Sequence, residues 1–350
     1  MVTENAVEVA VRVREAVSRV TGRDASAWPV RRLAGHASLR SYWRVGAPPE
    51  SFVVMVMPPD GRPEEVTSGG APPEDPFVNV QRWLQGAGVR VPVIHAFLET
   101  ERLMVLEDLG DETLEARLLA GDPPEPLYAH AIDQIARLRA RAERAPDPAC
   151  VAFGRSFDRT LYRWELDHFR EWLLEAWKGA SLSPGERREV DRSFDGIADA
   201  LAAEPAGFTH RDYQSRNLMV LPGGEQVVID FQDALLGPRQ YDLVALLRDS
   251  YVELPATLVD RMLSRYRERL AADGGPVLDP AAFRAGFDLL TVQRKLKDAG
   301  RFVFIDRVRG NPSFLPSIPA SLRYVRDALP RRRELASLSE ILGKHVPELR

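Results

Sequence analysis

Apolar residues fall at helical spacing near the start of the chain, at Val7, Val11, Val13, Ala16 and Val20, which predicts an amphipathic first helix closed by Gly22. The pattern then shortens to strand type over residues 30–33, 41–45 and 52–57, the last a continuous apolar run. Residues 58–76, rich in Pro, Gly and Glu, read as an exposed loop. Phe77, Val80, Trp83 and Leu84 mark a helix over 77–87, and two further strands follow at 91–97 and 102–106. Together these predict a five-stranded sheet with one packed helix. The strand at 102–106 runs into Glu107-Asp108-Leu109-Gly110, an acidic turn with a glycine, which reads as a hinge. Beyond it the periodicity is helical over 127–144, 157–177, 241–251, 255–272, 280–299 and a pair near 321–342. Ser183-Pro184-Gly185-Glu186 is a capping box with proline at the first helical position, opening a helix to 203. The expected class is α+β in two lobes: a β-rich N-lobe over 1–106, the hinge at 107–110, and a mostly helical C-lobe over 111–350.

Composition narrows the setting. With 350 residues and 45% hydrophobic side chains the chain can bury two ordinary cores. A net charge of −4 gives no reason to expect nucleic acid or an anionic membrane as partner. Cys150 is the single cysteine, which excludes a disulfide framework and a cysteine-based metal site and suits a reducing compartment. The N-terminus lacks the basic-then-apolar run of a signal peptide, and no apolar stretch approaches spanning length. These features predict a soluble, cytoplasmic protein, taken to act as a monomer on a small molecule.

The chemistry concentrates in His210-Arg211-Asp212, four residues, then Asn217, followed by two apolar segments around a Pro-Gly-Gly turn and Asp230 at a strand end. Phosphoryl transfer from ATP needs these groups in this order: one aspartate to orient a hydroxyl and take its proton, an asparagine and a second aspartate to hold Mg²⁺ on the phosphates. His210 reads as a residue packed behind the loop, and Asp242 as a helix cap or loop brace. The four lysines are Lys178, Lys295, Lys297 and Lys344, so the predicted N-lobe has no lysine to place on the phosphates.

The chain resembles the aminoglycoside phosphotransferase and choline kinase superfamily, within the protein-kinase-like fold. The resemblance rests on Ala37-Ser38-Leu39-Arg40-Ser41-Tyr42-Trp43-Arg44, Glu107-Asp108-Leu109-Gly110, Arg211-Asp212 to Asn217-Leu218-Met219, Asp230-Phe231-Gln232-Asp233-Ala234 and Val292-Gln293-Arg294-Lys295-Leu296-Lys297. Within that superfamily it is similar to bacterial N-acetylmuramate/N-acetylglucosamine kinases, which phosphorylate the anomeric hydroxyl in cell-wall sugar recycling. The resemblance implies ATP and Mg²⁺ as cofactors, Asp212 as base, and Asn217 and Asp230 as metal ligands. It places Ser38, Arg40 and Arg44 on the phosphates, the arginines standing in for the absent lysine, since a guanidinium can grip two phosphate oxygens. Backbone groups of Glu107, Asp108 and Leu109 would meet adenine. Arg216, Asp233, Arg294 and Lys297 are the candidates for the acceptor. Asp233 is expected to point with Asp230, toward metal or sugar, provided the strand continues. Arg294 and Lys297 share a helix face, and a plain solvent-facing cluster is the alternative for them. Gln232 in place of the glycine of Asp-Phe-Gly, and the lack of an activation segment, argue against a protein substrate. Other small alcohols (an aminoglycoside, choline, homoserine) remain open as acceptors, as does a nucleotide-binding pseudokinase.

Overall fold

The computed structural model describes residues 5–33, 40–58 and 74–350. The predicted phosphate cover at 35–38, including Ser38, and most of the loop at 58–76 lie outside the described residues. The chain divides into two compact units, one of residues 1–66 with 90–112 and the other of 67–89 with 113–350.

The first unit is the predicted sheet. Helix α1 (Ala6–Thr21) is capped by the Asn5 side chain on Val7 N and closed by Gly22 in the left-handed region, φ 71°. Strands β1 (Val30–Arg32), β2 (Ser41–Ala47), β3 (Glu50–Val56), β4 (Ile94–Leu98) and β5 (Leu103–Glu107) form an antiparallel sheet of order β1-β2-β3-β5-β4. Alternation sorts its side chains. Trp43, Val45, Val54, Leu103 and Val105 pack with Val9, Val13 and Val17 of α1 into one core. Arg44, Val53 and Met55 therefore lie on the opposite face, with Arg44 paired to Val53 and Tyr42 to Met55.

The second unit is helical. Helix α2 (Pro76–Gly86) belongs here rather than with the sheet, against the sequence expectation. Its aromatic side chains decide this: Phe77 lies 4.7 Å from Phe231, and Trp83 stacks 4.5 Å from Phe208. Next come α3 (Leu114–Leu119), α4 (Pro124–Arg144) and α5 (Arg159–Phe169), which continues over Arg170–Trp177 in wide π-type turns. Helix α6 (Pro184–Ala202) begins at the predicted capping box. Four short strands then form two antiparallel pairs, β6 (Ala206–Thr209) with β9 (Leu235–Pro238), and β7 (Leu218–Val220) with β8 (Gln226–Val228). Helices α7 (Tyr241–Leu247), α8 (Ala256–Ala272), α9 (Pro280–Arg309), α10 (Ile318–Ala328) and α11 (Ala336–His345) complete the unit.

Helix α9 runs ten residues past its expected end at 299 and stops at Gly310, φ 65°. The reason is Gly300, which marks a helix contact instead of a helix stop. A Cβ there would fall 2.6 Å from Phe169 Cα and 3.0 Å from His168 O, so only hydrogen lets the α5 backbone approach. Backbone cannot swing away as a side-chain tip can. Gly300→Ala is therefore expected to destabilise the protein by about 1–3 kcal/mol, the range for an overpacked core. An unchanged midpoint in urea unfolding would refute that close approach.

Candidate active site

The site grows from the chain between β6 and β9. Arg139 of α4 supports this pair from below, donating to the carbonyls of Phe208 and Gly237 at 3.3 and 2.9 Å. Gly207 makes room for it, since a Cβ at that position would lie 2.7 Å from Arg139 Cζ.

After β6 the loop is clamped by two buried carboxylates from the α7 segment. The N–H groups of His210 and Arg211 donate to the two oxygens of Asp242 at 2.8 and 2.9 Å. They hold Arg211 at φ 80°, a left-handed conformation that costs a non-glycine residue roughly 1–2 kcal/mol. Further along, Ser215 donates from N and Oγ to Asp249 Oδ2 at 2.9 and 2.5 Å. Burial pushes both carboxyls above the usual range, opposed at Asp242 by His210 and at Asp249 by Ser215 and Lys295. Asp242 is thus the loop brace, as one of its two expected roles.

His210 packs behind the loop. Its Nδ1 accepts from Asp212 N at 3.2 Å, and its Nε2 lies 3.1 Å from the carbonyl of Ile229. A carbonyl only accepts, so the proton sits on Nε2 and the ring is neutral. Burial pulls its pKa below the usual histidine value, despite the carboxylates of Asp242 and Asp212.

Asp212 presents its side chain at the loop tip, 36% exposed, with Oδ1 3.3 Å from Arg294 Nη2. Burial opposes its ionisation, but the charges of Arg294, Lys297 and Arg211 prevail and hold its pKa below the ordinary aspartate range. It is an ionised acceptor at neutral pH. Asn217 turns its amide nitrogen onto the Asp212 carbonyl at 2.9 Å, which leaves Oδ1 as the atom it offers. Asp230 Oδ2 lies 3.5 Å from the same nitrogen. This donor set is all oxygen, and among the described residues no three His, Cys, Asp or Glu converge. An ion here would complete its sphere with water and phosphate oxygens, the setting Mg²⁺ prefers, so the residues fit it.

Three acceptor or phosphate candidates stand differently from expectation. The strand does not continue through Asp230: β8 ends at Val228 and Asp230 sits at φ 64°. Instead Gln232 Nε2 bridges Asp230 Oδ1 and Asp233 Oδ2, each at 3.0 Å. Arg216 is taken up by a two-pronged pair with Glu115, at 2.7 and 2.9 Å, over the ring of Tyr251, so its charge is already matched. In the sheet unit Arg44 is buried, with Nε 2.6 Å from Asp108 Oδ2 and Nη1 2.8 Å from Asp111 Oδ2. It braces the Glu107–Gly110 turn, with its charge matched by these two carboxylates. The Glu107 side chain is likewise engaged, with Arg90 and with Val93 N. Arg40 immediately precedes β2.

Arg294 and Lys297 are not a solvent-facing cluster. Arg294 is 2% exposed, lies over the Tyr241 ring at 4.8 Å, and among the described residues has no hydrogen-bond partner at Nε or Nη1. Lys297 Nζ sits 3.6 Å from Asp298 Oδ1 and 4.0 Å from Glu165 Oε1. Gln293 secures the other oxygen of Glu165 at 2.7 Å. Sequence reasoning missed Gln293, Asp298 and Tyr241, which hold Glu165, Lys297 and Arg294 in place. The available signal was the run of charged residues within a helix whose apolar positions leave no polar face.

An ionised aspartate beside a buried arginine, an oxygen pair suited to Mg²⁺, and an α+β two-lobed fold define a phosphotransferase of the protein-kinase-like class. The chain belongs to the Phosphotransferase enzyme family, whose model matches residues 29–281. It is 34% identical over 312 residues to an N-acetylmuramate/N-acetylglucosamine kinase of Pseudomonas putida, covering 88% of this chain and 86% of that one. The protein of that name from Pseudomonas aeruginosa is 36% identical, with the same coverage. In fold it is similar to a choline kinase of Streptococcus pneumoniae, with a TM-score of 0.59 at 12% identity over 91% of this chain and 99% of that one. An ADP-bound aminoglycoside phosphotransferase gives a TM-score of 0.54 at 12% identity over 89% and 97%. Among the described residues no helix is long and apolar enough to cross a membrane.

Two tests follow from the loop. Asp242→Ala leaves two buried N–H groups without an acceptor, each worth about 1–3 kcal/mol, so the urea midpoint should drop together with turnover. An unchanged midpoint would show that the clamp is not structural. His210 is held neutral in the fold but titrates near ~6.5 when unfolded. The unfolded chain therefore binds the extra proton first, and this share of stability is complete above pH ~6.5 and lost as pH falls toward the depressed folded value. Urea unfolding at pH 7.5 and 5.5 should show a smaller decline in His210→Gln than in the wild type.

Proposed function

We propose that this chain is an ATP- and Mg²⁺-dependent sugar kinase that phosphorylates the anomeric hydroxyl of N-acetylmuramate or N-acetylglucosamine, a step in cell-wall sugar recycling. The observation that carries the reading is the Asp212 carboxylate, ionised and half-exposed at the tip of a clamped loop, five residues before an Asn217 whose amide nitrogen is bonded to its carbonyl. The sugar class is supported by relatives of that name at 34% and 36% identity over most of the chain. The enzyme is read as a cytoplasmic monomer.

Asp212 orients the sugar hydroxyl and takes its proton as the new O–P bond forms and the bond from the γ-phosphorus to the ADP oxygen breaks. Asn217 Oδ1 and the Asp230 carboxylate hold Mg²⁺, which when bound offsets negative charge on the phosphates. Backbone groups of Glu107, Asp108 and Leu109 take the adenine, and Ser38 and Arg40 serve the phosphates. Arg294, anchored on the Tyr241 ring with unpartnered Nε and Nη1, and Lys297 set the charge of the acceptor side. That side also carries Glu165, whose carboxyl burial pushes up despite Lys297.

ATP consumption by the purified protein against N-acetylmuramate, N-acetylglucosamine, simple hexoses, choline and an aminoglycoside tests the substrate class. Turnover is expected with the amino sugars, and its absence with both would sink that assignment. Asp212→Asn should keep Mg-ATP affinity and lower kcat at least ~100-fold. Wild-type turnover in this variant would remove Asp212 from the chemistry.

A further inference from the structure

We infer that Arg294 is a positioning residue for the transfer: it holds one carboxylate oxygen of Asp212, Oδ1, and so fixes the other, Oδ2, as the oxygen that meets the acceptor hydroxyl. The inference rests on the reading of Asp212 as the base.

The backbone of Asp212 is tied on both sides. Its N–H donates to His210 Nδ1 at 3.2 Å, and its carbonyl accepts from Asn217 Nδ2 at 2.9 Å. Those bonds place the Cα but not the carboxylate, since the terminal torsion of an aspartate is broad and has little preference of its own. Arg294 supplies what is missing, with Nη2 3.3 Å from Oδ1. Among the described residues no hydrogen bond reaches Oδ2, and the side chain is partly exposed, so this oxygen is the one open to a substrate. The contact is single rather than two-pronged. Arg216 shows the contrast, taking both oxygens of Glu115. A carboxylate gripped by both oxygens is a brace, whereas one held by a single oxygen keeps the second for chemistry.

The arginine itself is held still. It is buried and lies over the Tyr241 ring at 4.8 Å. Tyr241 is fully buried and packs on Phe157 at 4.4 Å, and Phe157 stacks on Tyr162 of α5 at 5.1 Å. A donor backed by packed rings cannot follow the carboxylate, so the carboxylate must follow the donor. Lys297, the next cation on this stretch of α9, has its Nζ toward Asp298 and Glu165, at 3.6 and 4.0 Å. Among the described residues Arg294 is thus the side chain that hydrogen-bonds the Asp212 carboxylate. In the step itself the hydroxyl proton passes to Oδ2 while the hydroxyl oxygen bonds to the γ-phosphorus and ADP leaves. A carboxylate free to turn loses the alignment on which such a transfer depends.

The experiment is steady-state kinetics with ATP, Mg²⁺ and the best acceptor of the panel above, on the wild type, Arg294→Met, Asp212→Asn and the double variant. Arg294→Met is expected to lower kcat about 10- to 100-fold, the scale on which misalignment acts, with the acceptor KM within about twofold of the wild type. In the Asp212→Asn background the same change should cost less than about threefold, because Arg294 acts through a carboxylate already gone. An arginine that only supports the fold would cost the same factor in both backgrounds, and equal factors would overturn the inference. So would a raised KM with kcat intact, which would instead mark Arg294 as an acceptor ligand. Wild-type turnover in Asp212→Asn, or no turnover with any acceptor, would overturn the reading of Asp212 and this inference with it. Should Arg294→Met lose its circular dichroism signal, Arg294→Lys, which keeps the buried charge but not the donor geometry, goes through the same cycle under the same criteria.

Discussion

The site depends on one constraint: the loop from His210 to Asn217 must hold a conformation its own sequence does not favour. Arg211 is left-handed, a conformation that a side chain with a Cβ disfavours. Asp242 and Asp249 impose it, accepting two N–H groups at the front of the loop and the Ser215 N–H and hydroxyl at the back. Buried carboxylates with several donors are strong acceptors, and removing the donors from water makes each bond costly to break. His210 extends the same logic. Its neutral ring links the Asp212 N–H to the Ile229 carbonyl, and so ties the base to the segment that carries Asp230.

Charge around the base is arranged by α9. Arg294, Lys295 and Lys297 are buried on a helix that meets α5, α7 and α10, where bare ammonium or guanidinium groups would be unfavourable. Asp298 and Glu165 offset them, and Arg294 keeps two nitrogen atoms without a hydrogen-bond partner among the described residues. Gly300, by allowing α5 to approach, sets the distance at which Glu165 and Gln293 meet.

The sheet unit shows how a lysine-free strand is used. Met55 of β3 is buried on the same sheet face as Arg44 of β2, opposite the α1 core, and Arg44 is matched to Asp108 and Asp111. The arginine expected at the phosphates thus also braces the turn after β5. A guanidinium can serve either task with the same two-pronged geometry, so residue type alone could not separate them.

Local chemistry made much of this protein legible in its sequence. Period-two and period-3.6 patterns marked the five strands and most helices, the Ser183 capping box and Gly22 marked helix ends, and the spacing of Asp212, Asn217 and Asp230 marked the candidate site. These signals are read over a few residues, where steric and hydrogen-bond rules act directly. Tertiary structure alone decided which unit takes α2, whether Gly300 ends a helix or seats one, which carboxylates match Arg44 and Arg216, and how Gln232 joins Asp230 to Asp233. Each of those depends on which side chain arrives from a distant part of the chain, and a charged or glycine residue carries no record of its partner.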